Sequence, residues 1–256
     1  MGRLLRSLAG LLAALLVGAL LLAVAAVLAL RYVNPPTSAF MLEASLHARL
    51  SGERRYHTDY RWRALTAISP EAAIAVVASE DQRFPVNNGF DFDSIRAALQ
   101  AHERGARLRG ASTITQQVAK NLFLTSGRSF LRKALEAGLT VLINDFWSKQ
   151  RILEVYLNIA QFGPGIYGVE AAAHRFFHIS AAHLTRDQAA LLASVLPDPL
   201  RLHANAPSAY VLAQHDWILQ QVANLGGPAY LGTVAPRFAA LGAHALRPRL
   251  ASEAAR

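Results

Sequence analysis

The chain has 256 residues, no cysteine and a formal net charge of +9, most of it from arginine. The lack of cysteine excludes disulfide bonds and thiolate chemistry, so an exported domain would depend on its hydrophobic core alone. A basic chain suits nucleic acid, anionic lipid headgroups or a phosphorylated substrate. Nucleic acid is disfavoured, since no zinc-finger spacing or aromatic–basic RNA motif occurs and the N-terminus predicts a membrane anchor.

Residues 8–30 contain no charge and predict a membrane-spanning helix. At about 1.5 Å per residue, such a helix crosses the roughly 30 Å hydrocarbon layer with some tilt. A cleaved signal peptide is the alternative, but it needs a shorter apolar region of about 7–15 residues. Arg3 and Arg6 precede the run and Arg31 follows it. The positive-inside rule then gives a single-pass inner (cytoplasmic) membrane protein, with residues 1–30 as cytoplasmic N-terminus and anchor and the rest periplasmic or otherwise extracytoplasmic.

Four regions are predicted in all, and the part outside the membrane is predicted to be mostly α-helical. A membrane-proximal linker over 31–66 follows the anchor, then a main domain over 67–204 and a C-terminal helical extension and tail over 205–256.

Ser69-Pro70 is typical of a helix start, and a basic loop is predicted over 105–110. Helices are predicted over residues 70–80, from 91 onward, and over 112–124, 128–146, 149–162 and 185–196. Strand signals are weak.

The predicted helix over 112–124 is unusually polar on one face. Thr113, Gln117 and Lys120 are spaced i, i+4, i+7, so a hydroxyl, an amide and an ammonium share that face. Together they could hold several oxygens of an anionic, hydroxyl-rich ligand. The apolar residues between them can face a core.

Two glutamates are candidate catalytic residues. Glu80 ends a predicted apolar helix, where the helix dipole and an apolar wall would raise its pKa toward that of a general base. Glu136 follows Arg128 and Arg132 at i, i+4, i+8, with Lys133 beside them. Each feature alone also fits an exposed helix end or a solvated ion pair of about 0.3–0.5 kcal/mol.

Six short segments of the chain, taken in order, favour a catalytic role for these glutamates over an ordinary structural one. They include Glu-Asp-Gln-Arg-Phe, Gly-Ala-Ser-Thr-Ile-Thr-Gln-Gln, Arg-Lys-Ala-Leu-Glu and Arg-Ile-Leu-Glu-Val-Tyr-Leu-Asn, and they lie at 80–91, 110–117, 132–136, 151–158, 168–177 and 184–199. In this order they closely resemble the motifs of the peptidoglycan glycosyltransferases (glycosyltransferase family 51), which polymerise lipid II. The resemblance implies a monofunctional enzyme with a lysozyme-like fold: two helical lobes and a cleft. No Ser-x-x-Lys of a transpeptidase domain occurs.

The resemblance also implies roles for particular residues. Glu80 becomes the catalytic base of an inverting transfer, and Glu136 the second essential carboxylate, so we expect both side chains to face one cleft. The expected substrate-binding residues are Asp81, Thr113, Gln117, Lys120, Arg128, Arg132 and Lys133. The expected partners are lipid II, the growing glycan strand, the membrane and cell-wall synthesis proteins. No cofactor is expected to be required, and Mg²⁺ or Mn²⁺ near the diphosphate remains an alternative.

One residue departs from the family pattern, and two other functions stay open. The family usually has histidine where this chain has Asn87, and asparagine can donate a hydrogen bond but cannot carry a proton. A lysozyme-like hydrolase is the first rival, although it would leave the cations near Glu136 without a diphosphate to bind. The second is a scaffold that binds lipid II without converting it. For Glu154, Asn158, His174 and His178 we expect structural roles.

Overall fold

The computed structural model describes residues 2–103 and 112–241. The predicted basic loop at 105–110, the first two residues of the Gly-Ala-Ser-Thr segment and residues 242–256 of the predicted tail lie outside this range. The described chain is mainly helical, which confirms the predicted fold class. Its α-helices are α1 (Gly2–Leu30), α2 (Ala39–Leu50), α3 (Pro70–Glu80), α4 (Phe92–Glu103), α5 (Ile114–Phe123), α6 (Phe130–Phe146), α7 (Lys149–Ile159), α8 (Val169–Phe177), α9 (Arg186–Val195) and α10 (Ala209–Asn224).

Helix α1 is the candidate membrane anchor. Its segment Gly10–Leu30 is long and apolar enough to cross a membrane, and most of it is exposed on the protein surface. Only its C-terminal end packs against the rest of the protein, chiefly against α6. There the indole Nε1 of Trp147 donates to the carbonyl of Val27 at 2.8 Å.

The end of the anchor is held by one arginine of α7. Arg151 donates through Nη2 to the carbonyls of Leu30 at 3.0 Å and Val33 at 2.7 Å. Its guanidinium also lies over the rings of Trp62 and Trp147, at 5.1 and 5.9 Å from their centroids. The last carbonyls of an α-helix have no partner within the helix, so Arg151 supplies hydrogen-bond donors to carbonyl groups at and just after the end of α1.

The core is built around α3, whose apolar residues 72–78 are all buried. Helices α9 and α10 pack on it, and α5 packs against α6 and α7. Helix α3 begins where the sequence predicts, because Ser69 accepts from the amide of Glu71 and Pro70 is the first helical residue. Its other end carries Glu80, so burial of this helix determines where the candidate base lies.

Three predicted helices are shorter than expected. Thr113 and Ser129 are N-caps, so α5 begins at residue 114 and α6 at 130. Helix α7 ends at Ile159, because Ala160 is extended and leads into a strand.

A small three-stranded sheet lies beside this helical core. Strand β1 (Asp59–Tyr60) pairs in parallel with β3 (Ile166–Tyr167), which pairs antiparallel with β2 (Gln161–Gly163). Gly165 permits this turn, since its φ is +71° and a Cβ there would lie 2.5 Å from the carbonyl of His57. The sheet ties the predicted linker to the main domain.

Candidate active site

Glu80 is bound by uncharged hydrogen-bond donors at the end of α3. The amide Nε2 of Gln117 donates to its Oε2 at 2.7 Å, and the hydroxyl of Ser79 donates to its Oε1 at 3.2 Å. The hydroxyl of Tyr156 in turn donates to Oε1 of Gln117 at 3.0 Å, which fixes the orientation of that amide. Burial raises the pKa of Glu80, opposed in part by these donors and by the charge of Lys120.

Gln117 reaches Glu80 because of how α5 begins. Thr113 and Gln116 form a reciprocal capping box, which sets where the helix starts. Ile114 and Val118 are fully buried in the core, so the side chain of Gln117 lies on the other face, toward α3.

Asp81 lies behind Glu80 and supports the start of α5. Its carboxylate accepts from Nδ2 of Asn87 at 2.8 and 3.0 Å and from the backbone amide of Ile114 at 3.1 Å. Burial raises the pKa of Asp81 to about 6, while these donors and Lys149 oppose the shift. Its carboxylate therefore has partners within the protein. Asp81 also lines a cavity beside Glu80, so the predicted substrate-binding role stays a prediction.

Asn87 continues this network to a lysine of α7. The ammonium of Lys149 donates to Oδ1 of Asn87 at 2.9 Å, and the amide of Gly89 donates to the same oxygen at 3.1 Å. Lys149 also lies 4.8 Å from the centroid of the Phe84 ring. Burial lowers its pKa to about 8. No motif drew attention to Lys149, and only the packing of α7 beneath the first motif reveals it.

Glu136 is buried on α6 and is paired with cations. Nη1 of Arg132 donates to its Oε2 at 2.7 Å, and the ammonium of Lys133 binds its Oε1. The buried Nε of Arg132 has no hydrogen-bond partner among the described residues. Arg128 is exposed and lines an open pocket of about 390 Å³ together with Arg132 and Lys133. This end of the site therefore presents several positive charges.

Lys120 connects the two carboxylates electrostatically. Burial lowers the pKa of Lys120, and the charges of Glu136 and Glu80 both oppose that shift, while Arg132 and Lys133 reinforce it. Its ammonium also lies 5.4 Å from the centroid of the Phe40 ring. Lys120 is therefore within electrostatic range of both acids. The cavities beside Glu80 are not lined by Glu136, so a cleft common to both acids stays a prediction.

Two cavities border Glu80, of about 340 and 330 Å³. Both also include Ser112 and Trp217, and the second is lined by Tyr210 and Gln214 of α10. We call this α10 side of the cleft, formed by Tyr210, Gln214 and Trp217, the uncharged wall. The sequence predicted only a helical extension and tail over 205–256, so this wall was not predicted.

Thr113 precedes the helix that was predicted to include it, although it lines the cavity of about 340 Å³ beside Glu80. It is the N-cap of α5, and its hydroxyl donates to the carbonyl of Gly89 at 2.6 Å and accepts from the amide of Gln116. The i, i+4, i+7 spacing assumed that residue 113 was already helical, whereas its backbone is extended. Gln117 contacts Glu80 and Lys120 lies within electrostatic range of it, and the substrate-binding role of all three residues stays a prediction.

The residues expected to be structural do hold the fold together. Glu154 accepts from the backbone amide of Leu65, and the side chain of Asn158 both donates to and accepts from the backbone of Arg63. His174 contacts the buried Glu170 at 3.0 Å. Over residues 2–103 and 112–241, no group of three histidines or acids is placed to hold a metal ion.

Comparison with known proteins gives a consistent result. The family model described as transglycosylase matches residues 47–223. A biosynthetic peptidoglycan transglycosylase of Escherichia coli O127:H6 is 56% identical over 197 residues, 77% of this chain and 81% of that protein. A protein of the same name from Pectobacterium carotovorum is 51% identical over 208 residues, 81% of this chain and 85% of the relative.

Proposed function

Because this chain belongs to the transglycosylase family, we propose that it polymerises lipid II into the glycan strands of peptidoglycan. The observation that supports this proposal is a pair of acids in dissimilar surroundings, both close enough to Lys120 for their charges to raise its pKa. Glu80 has a raised pKa and uncharged donors, while Glu136 is surrounded by cations. A transferase needs both a base for the acceptor and positive charge for a departing diphosphate.

The transfer proceeds as one displacement. The 4-hydroxyl oxygen of the acceptor sugar attacks the anomeric carbon of the donor, while the bond from that carbon to the diphosphate oxygen breaks. Glu80 takes the hydroxyl proton, and the undecaprenyl diphosphate leaves with the bonding electrons. Attack opposite to the leaving group turns the α link into a β-1,4 link, so the transfer inverts the configuration.

The departing diphosphate is met by cations that are already in place. Lys120 is within electrostatic range of both acids, and Nε of Arg132, which has no partner among the described residues, offers a donor to a phosphate oxygen. Glu136 orients Arg132 and Lys133 by binding one with each oxygen. Cations held in position before the reaction stabilise charge in the transition state without reorganising.

The sugars of the strand are expected to contact the uncharged wall. Trp217 and Tyr210 present ring surfaces and Gln214 presents an amide beside Glu80. Pyranose rings have apolar C–H faces and polar rims, so they suit a surface of rings and amides better than a row of charges.

We further propose that α1 anchors the protein in the inner membrane, with the catalytic domain on the periplasmic side. The anchor brings the cleft to the membrane, where lipid II is held by its undecaprenyl chain. Lipid II and the growing glycan strand are the partners that the protein would bind at this membrane, and cell-wall synthesis proteins are expected as further partners.

No resident metal is assigned to the reaction. Both oxygens of Glu136 already bind cationic side chains, so a divalent ion held by this residue would have to displace one of them. The residues present therefore do not fit a dedicated Mg²⁺ or Mn²⁺ site. Polymerisation measured with EDTA and with added Mg²⁺ or Mn²⁺ tests whether an ion arriving with the diphosphate contributes.

Incubation with labelled lipid II tests the proposed function. Wild type should yield polymer, whereas Glu80→Gln should polymerise far more slowly while still binding lipid II. Shortening of preformed strands without polymer would indicate a hydrolase instead. Retention of lipid II by wild type without conversion would indicate a scaffold.

A further inference from the structure

We propose that Asn87 is a positioning residue, which joins Lys149 to Asp81 and so holds the start of α5, with Gln117, against the catalytic base. This inference rests on the proposed function and concerns the residue that replaces the family's usual histidine. Asn87 is buried and does not line either cavity beside Glu80, so it acts through its neighbours and does not contact the substrate.

The amide of Asn87 is matched to both of its partners. Its Nδ2 donates to both oxygens of an acid, Asp81, and its Oδ1 accepts from a cation, Lys149. A carboxamide offers donor and acceptor at the same time, and neither depends on pH. A carboxylate in this position could not donate to Asp81, and an apolar side chain could make neither bond.

The network reaches Glu80 in two steps. Asp81 accepts from the backbone amide of Ile114, the first residue of α5, and a carboxylate is favoured at a helix N-terminus. One turn later the same helix carries Gln117, whose amide donates to Glu80. A shift of the first turn of α5 would therefore move the donor that orients the base.

Several charged groups surround Asp81 and bear on its ionisation. Lys149 of α7 favours the carboxylate, whereas Asp91 of the following loop disfavours it. Glu80 precedes it in the chain, and the charges of Glu80 and Asp81 both raise the pKa of the Tyr156 hydroxyl on α7. With pKa values of about 6 for Asp81 and about 8 for Lys149, both partners are charged between those values. The amide of Asn87 keeps its two contacts throughout this interval.

The first test is the pH profile of lipid II polymerisation by Asn87→Ala and Asn87→His. Asn87→Ala should lower kcat about tenfold, as expected for lost hydrogen bonds to charged groups, and leave KM within about twofold. Asn87→His should restore most of the rate at pH 8, because neutral imidazole both donates and accepts. It should fall more steeply than wild type below about pH 6.5, where imidazolium can no longer accept from Lys149.

The second test asks whether Asn87 acts by joining Lys149 to Asp81 through hydrogen bonds or only by filling space in the core. If Asn87 acts by joining Lys149 to Asp81, the losses in kcat for Asn87→Ala and Lys149→Met should be non-additive in the double variant. The matched control is Asn88→Ala, which changes the exposed neighbouring asparagine and should keep the wild-type rate and pH profile. Additive losses, or wild-type profiles for both Asn87 variants, would overturn the proposal.

Thermal unfolding provides a readout that needs no activity. Burial raises the pKa of Asp81 in the folded protein, so ionising this group lowers stability as pH rises through about 6. Loss of the two donors of Asn87 should enlarge this effect, and the drop in Tm for Asn87→Ala should be larger at pH 8 than at pH 5. A drop that is independent of pH contradicts the bridge, whereas wild type that folds but makes no polymer contradicts only the proposed function.

Discussion

Glu80 and Glu136 are the same type of side chain in opposite surroundings. Glu80 has an amide and a hydroxyl as its direct partners, and burial raises its pKa. Glu136 is buried more fully, yet each of its oxygens binds a cation. Uncharged donors leave Glu80 able to accept a proton, whereas Glu136 binds Arg132 and Lys133 and holds these cations in place. Burial alone therefore does not make a carboxylate a base, and its partners decide the role.

The largest effect is expected from Glu80→Gln, which keeps the shape of the side chain but removes the base. The polymerisation rate should fall about 10³-fold, within the range usual for general-base catalysis. Glu71→Gln is the matched control, because Glu71 lies at the other end of α3 and pairs with Arg186 outside the cleft. If Glu80→Gln polymerises at the wild-type rate, the assignment of the base is wrong.

Glu136→Gln should lower kcat/KM about 100-fold, because it leaves Arg132 and Lys133 without the anion that orients them. The loss should persist at every pH, since no proton transfer is removed. Steady-state kinetics between pH 5 and 9 would check this. A loss confined to acidic pH would show that Glu136 exchanges protons, and the contrast between the two ends would fail.

Arg132→Met should lower kcat/KM about tenfold through weaker binding of the diphosphate in the transition state. The matched control is Arg186→Met, which removes an arginine that is exposed and paired with Glu71. Inhibition by inorganic diphosphate provides a second measurement, and it should weaken in the Arg132 variant only. Equal inhibition of both variants would remove Arg132 from the donor end.

Gln117→Ala should shift the pH profile more than it lowers the maximal rate. The donor from Gln117 lowers the pKa of Glu80, so its loss should raise that pKa further. The acidic limb of the kcat/KM profile should therefore move to higher pH, with a loss of about three- to tenfold at pH 7. An unchanged acidic limb would mean that another group controls it.

The smallest effect is expected from Tyr156→Phe, which removes the donor that orients the amide of Gln117. The rate at pH 7 should fall about two- to threefold, as for the loss of one neutral hydrogen bond. The same change in a Gln117→Ala background should then have no further effect. A loss that persists there would give Tyr156 a separate role in the cleft.

Much of this arrangement could be predicted from sequence, where local signals agree with the packing. The burial of α3 follows from its continuous apolar residues, and the Arg132–Glu136 pair from i, i+4 spacing. Thr113 was misplaced, because a threonine before a helical pattern can be an N-cap or a helical residue, and periodicity does not separate the two.

The rest depends on contacts between segments that are distant in sequence. Lys149 meets Asn87 across 62 positions, and Trp217 reaches the cleft only because α10 packs on α3. The sheet was missed because strands of two or three residues are too short to show a period. The resemblance to a family identified the residues that react, while the structure was needed to find those that support them.

The clasp of Arg151 on the carbonyls of Leu30 and Val33 has a mechanical consequence. A membrane-spanning helix joined by a flexible linker would let the catalytic domain reorient freely, so the cavity beside Glu80 would have no fixed orientation toward the bilayer. Here the end of α1 is fixed to α7 by Arg151, so the helix and the body of the protein tilt together. With α1 placed in a membrane, as proposed above, this attachment sets the height of Glu80 above the lipid surface, so every substrate molecule that diffuses in the bilayer reaches the cavity at the same height.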